Sequence, residues 1–93
     1  MSHVVRFAND QEAAYRSWLA GNPMGFVAND RGGGNYLLLH LAASAQCINQ
    51  PGKSHTSRRA LSTKICGLDR VSVEACCVLL FGRKPLLCKK CIR

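Results

Sequence analysis

Hydrophobic positions along this chain change their period several times, and each change marks an element. Ala14, Tyr15, Trp18 and Leu19 recur at helical spacing and give one apolar face to the segment from Asn9 to Gly21. Asn9 and Glu12 have the spacing of a capping box, in which each side chain satisfies a free amide of the first turn. Gly21-Asn22-Pro23 ends this helix, because Pro cannot continue it and Gly tolerates the reversal. His3 to Phe7 reads as a short strand ahead of it.

Gly25 to Ala28 reads as the next short strand, and Asn29 to Asn35 as a turn rich in residues that accept positive φ. Tyr36 to Leu41 (YLLLHL) is apolar on both alternating sets, as expected of a strand covered on both faces, and the two strands form a hairpin. Gln50 to Ser62 is polar and basic and contains Pro51-Gly52, so it reads as an exposed loop. Thr63 to Cys66 resumes as a strand. Asp69 is placed to cap a second helix that runs to Phe81 and closes at Gly82, with Arg83 and Lys84 suited to its C-terminal end. Val71, Ala75, Val78 and Leu79 form one stripe of that helix. Val73, Cys76, Cys77, Leu80 and Phe81 lie elsewhere around it, and no residue from Ala75 to Phe81 is charged. A helix apolar all round sits in the middle of a core or is covered by a partner, for which a second copy of the chain is one option. The pattern predicts an α+β fold over residues 1–93, a single small domain with a short antiparallel sheet and two helices.

Size sharpens the picture. A 93-residue chain buries a smaller share of its surface than a large one and often needs a staple. Hydrophobic residues make up 47% of the chain, which excludes a disordered composition. There is no apolar run of membrane-spanning length, and the first residues lack the basic start and apolar stretch of a secretion signal. A reducing cytoplasm is the expected compartment, with no membrane partner.

There the six cysteines point to metal more than to disulfides. Cys88-Lys89-Lys90-Cys91 is a C-x-x-C pair able to curl around an ion. Redox use would want that pair at a helix N-terminus, and no helix follows it. A closed structural zinc site needs four ligands. Cys66 ends a strand and Cys47 follows one, so Cys47, Cys66, Cys88 and Cys91 form a candidate all-thiolate set ending in a C-terminal zinc knuckle. His40 is the alternative for one place, although a histidine among leucines in a buried strand suits a satisfied core residue as well. Cys76 and Cys77 read as small core hydrophobes, and buried free thiols are the alternative for all six.

Read in order, Tyr15-x-x-Trp18-Leu19, Pro23-x-Gly25-Phe26-Val27-x-Asn29, Leu39-His40, Cys47, Lys64-x-Cys66 and Cys88-x-x-Cys91 resemble a small bacterial zinc-binding module. That module recurs in uncharacterised proteins and beside restriction-type nuclease domains. In it the first cysteine lies closer to the histidine; here Ser44 holds that neighbourhood and Cys47 comes later. The resemblance implies no activity.

The net charge of +8, from 13 Lys and Arg against 5 Asp and Glu, favours a polyanionic partner, DNA or RNA. The candidate contacts are Lys53, Arg58, Arg59 and Lys64 in and beside the basic loop, with Arg83, Lys84, Lys89 and Lys90 around the tail. One zinc holding Cys47, Cys66, Cys88 and Cys91 would join the two groups into a ridge that meets phosphates without reading sequence. Two separately solvated stretches are the competing reading. Catalysis finds little footing. Pro51-Gly52-Lys53-Ser54 matches the end of a phosphate-binding loop, yet Cys47 stands where that motif needs its first Gly. Asp10, Glu12, Asp30, Asp69 and Glu74 make no acid–base or metal pair, and His3, His40 and His55 no nuclease constellation. The expectation is a non-catalytic, zinc-stabilised module for nucleic acid, or else an interaction or homo-oligomerisation domain built on the apolar helix over 71–81.

Overall fold

The computed structural model describes residues 4–8, 11–31, 36–43 and 62–89. Within them the chain runs β1 (Val4–Phe7), α1 (Glu12–Gly21), β2 (Phe26–Arg31), β3 (Tyr36–Leu41), β4 (Ser62–Gly67), α2 (Arg70–Phe81) and β5 (Leu86–Leu87). The strands form one sheet in the order β1-β4-β2-β3-β5. The first four are antiparallel to their neighbours, and β5 adds to β3 in parallel, so the sheet is mixed and not purely antiparallel. The α+β class read from the pattern is the class observed.

Alternation along the strands separates two cores. On one face Phe7, Val27, Ala42 and Cys66 pack with Tyr15 and Leu19 of α1, and Trp18 leans on them. On the other face Ala28, Leu37, Leu39 and Ile65 pack with Val73 and Cys77 of α2, joined by Cys76 and Phe81. The sheet is thus sandwiched between its helices. No helix among the described residues is long and apolar enough to cross a membrane.

Local chemistry explains the element ends. Asp69 caps α2 as expected, accepting from the Ser72 amide at 2.7 Å. Gly82 closes it in the left-handed region at φ 78°, its amide donating to the Val78 carbonyl at 2.9 Å. The start of α1 differs from expectation. The helix begins at Glu12 with Gln11 at the N-cap position, and the Gln11 side chain accepts from the Ala8 amide at 2.9 Å. Glu12 pairs with Arg16 one turn on at 2.8 Å; Asn9 lies outside the described residues.

β2 continues to Arg31, three residues into the segment read as a turn. It is a central strand, paired along its whole length with both β3 and β4, and two ladders override the turn preference of Asn29 and Asp30. The rest of that turn, residues 32–35, and the loop read at Gln50 to Ser62 lie outside the described residues, save Ser62, which opens β4. β5 is an edge strand that the hydrophobic pattern does not predict, since it is two residues long.

Candidate functional site

Strand register decides which candidate ligands can meet. Val5 pairs with Cys66, Cys66 with Val27, and Val27 with His40, so these four form one row across the face that carries α1. The row continues to Cys88, just beyond β5. Leu38 pairs with Leu86 and Leu39 with Leu87, and the Cys88 amide donates to the Leu39 carbonyl at 3.0 Å. In a parallel ladder that bond sets Cys88 opposite His40, on the same face and about 4.8 Å away along the hydrogen-bonding direction. Both side chains are buried.

Cys66 is not part of that neighbourhood. β2 and β3 stand between its strand and β5, which makes three strand spacings, or about 14 Å. Two thiolates on one zinc lie within about 4 Å of each other. The structure therefore does not bring Cys66 and Cys88 together. Cys66 is instead wholly buried among Phe7, Tyr15, Leu19, Val27 and Ala42, and burial pushes its thiol up to about 12 against a smaller opposing pull from Lys64. Cys77 is held up to about 12 in the same way, by burial first and then by Cys76, Asp30 and Glu74, in keeping with its reading as a core hydrophobe. Cys47 and Cys91 lie outside the described residues. Among those described, no group of three or more His, Cys, Asp or Glu side chains gathers.

Lys64 corrects a second expectation. It is only 4% exposed, so it is no surface contact for phosphate. It lies on the α1 face, its Nζ donating to Asn29 Oδ1 across the β2–β4 ladder and standing 5.9 Å from the centre of the Tyr15 ring. The long stem lies along apolar surface while the ammonium finds polar company. Burial, with this ammonium adding to it, lowers His40 to about 4, so its imidazole is neutral at pH 7. Burial also raises the Tyr15 hydroxyl, helped by Cys66 and Glu12 and opposed by Arg16.

Of the other basic candidates, Arg83, Lys84 and Lys89 are exposed, just after α2 and just after Cys88. Lys53, Arg58, Arg59 and Lys90 lie outside the described residues. The described acids are engaged elsewhere. Glu12 pairs with Arg16, Glu74 with Arg70 at 3.4 Å, Asp69 caps α2, and Asp30 is buried in β2.

α2 presents a further surface. Its inward stripe is Val73, Cys76, Cys77 and Phe81, and its outward stripe is Val71, Ala75, Val78 and Leu79. Leu79 is 87% exposed and Val71 74%, with Leu68 and Leu80 exposed beside them. Isolated exposed leucines are ordinary, but a continuous stripe of them is not.

The sequence offers Cys88 as a ligand and His40 as the alternative for one place, but it does not reveal that the two are neighbours. The available signal was Pro85-Leu86-Leu87, a short apolar step directly before the C-x-x-C that is enough to dock on an edge. No protein-family model matches this chain, and neither the curated proteins nor the solved structures provide a match.

Proposed function

We propose that this chain is a non-catalytic, zinc-stabilised module that binds nucleic acid through phosphates, using the basic end where α2 gives way to β5 and the C-x-x-C. The observation that carries this reading is the exposure of Arg83, Lys84 and Lys89 in a +8 chain whose described acids are occupied at other places. Such a cluster meets the backbone and carries no sequence code. Zinc held by thiolates near Cys88 would fix this end of the chain, and a reducing compartment would keep those thiols available. The test is a salt titration of binding to short duplex and single-stranded DNA and RNA. The double substitution Lys84→Glu and Lys89→Glu is expected to weaken binding to every sequence alike and to flatten the salt slope by about 2. Absence of salt-sensitive binding to all of these probes at low salt would sink the reading.

A second reading has its own observation, the outward stripe of α2. We infer that it is an interface with a second copy of the chain. The stripe is uncharged from Ala75 onward, so two copies meet there without like-charge repulsion despite the net +8. Leu79→Asp should convert a dimer to a monomer in sedimentation, with the melting temperature of the protomer held, because exposed substitutions typically change stability by only about 0.5 kcal/mol. Phe81→Asp would not serve, since Phe81 packs into the α2 core. A protein that is monomeric at all concentrations before mutation would exclude this interface.

A further inference from the structure

We infer that His40, and not Cys66, is the sheet's contribution to the metal site, and that it partners Cys88; the inference rests on the zinc reading above. Three observations lead there. The ladder between β3 and β5 sets His40 and Cys88 side by side on one face, with the Cys88 amide bonded to the Leu39 carbonyl at 3.0 Å. Adjacent positions on neighbouring strands hold their side chains close enough for an imidazole nitrogen at about 2.0 Å and a thiolate at about 2.3 Å to share one zinc. Cys66 lies in the same row of the sheet but two strands further from β5 than His40, with Val27 between them, and its side chain is consumed by the α1 core.

The sequence supplies the other half of the argument. Cys88 opens the C-x-x-C and directly follows β5, so a metal taken at Cys88 would have His40 as its neighbouring donor on the sheet. Histidine with thiolates is an ordinary structural zinc set. Cys66 then has a different task, filling the space beneath Tyr15 and Leu19 as a small apolar side chain.

The test uses the full chain, purified without chelator, and measures zinc per chain. It is followed by cadmium-113 substitution, because the cadmium resonance of an all-sulfur site differs from that of a site with one nitrogen. The wild-type protein is expected to carry one metal with a mixed sulfur–nitrogen signature. Cys66→Ala is expected to keep that metal and signature, whereas Cys88→Ser and His40→Gln lose most of the metal, with circular dichroism reporting whether each variant is folded. An all-sulfur signature in the wild-type protein would overturn the assignment of His40 while leaving the zinc reading standing. So would a folded Cys66→Ala protein that no longer takes metal. A folded wild-type chain that takes up no zinc would overturn both. An all-sulfur wild-type spectrum excludes His40 even if a variant fails to fold, and metal retention by Cys66→Ala excludes Cys66.

Discussion

Tyr15→Ala is expected to destabilise the fold by about 3–5 kcal/mol, the usual cost of deleting a fully buried aromatic side chain. In a chain of this length that lowers the thermal midpoint by roughly 12 °C or more. Tyr15 is wholly buried, and its ring lies 6.0 Å from that of Phe7 at a tilt of 56°. α1 reaches the sheet through Tyr15, Leu19 and the flank of Trp18, so removing the largest of the three takes away most of its attachment. The cavity would open beside Cys66, Val27 and the Lys64 ammonium, and none of these can collapse into it without leaving a paired strand. Thermal melts compared with Met24→Ala, a change at a residue 85% exposed, provide the check. A midpoint for Tyr15→Ala within about 3 °C of the parent would mean that α1 is not docked as described.

Gly25→Ala is the second large effect, and it arises from too much matter where Tyr15→Ala leaves too little. A Cβ at position 25 would lie 2.7 Å from Cη2 of Trp18, 2.9 Å from the Gly67 carbonyl and 3.3 Å from the Asn22 carbonyl. Trp18 could turn aside, but the Gly67 oxygen belongs to the end of β4 and cannot. The Gly25 carbonyl is itself tied down, accepting from the Ala42 amide at 2.9 Å. Overpacking of this kind costs about 1–3 kcal/mol. Gly21→Ala gives the contrast, because nothing lies within 4 Å of a Cβ there and the position closes α1. It should be neutral or stabilising by up to about 1 kcal/mol. Trp18 is the sole tryptophan, so its emission reports the clash directly. Equal melting curves for the two variants would contradict the close approach of β2, β4 and α1 at this corner.

Sequence patterning was informative where one residue type has one dominant use. Asp69 and Gly82 bracket α2 because a cap and a left-handed closure are local matters, settled within a turn of chain. The buried pair Tyr15 and Leu19 follows from helical spacing, and β3 from the apolar run over Tyr36–Leu41. Spacing alone could not say which stripe of α2 faces inward, since Val71 and Leu79 are as apolar as Val73 and Cys77; the covering sheet decides. Asn29 and Asp30 read as turn residues because their partners on β4 are more than thirty positions away. Lys64 read as surface for the same reason: its acceptor, Asn29, lies on another strand. The metal candidates depend most heavily on strand order. Cys66 and Cys88 are 22 positions apart in the chain, and nothing local reveals that two strands lie between theirs and that His40 is the nearer neighbour of Cys88.

That strand order also sets a timetable for folding on the ribosome. β2 and β3 form a hairpin as soon as residue 41 has emerged, but β1, made first, has β4 as its neighbour in the sheet. Until residue 67 is available, the N-terminal strand and the helix after it wait beside a hairpin that they do not pair with, and distant pairings of this kind fold slowly. Translation that stalls between β3 and β4 would release a chain in which β1 has no strand to pair with and the core under α1 lacks Cys66, making that interval the natural point for a chaperone or a protease to act.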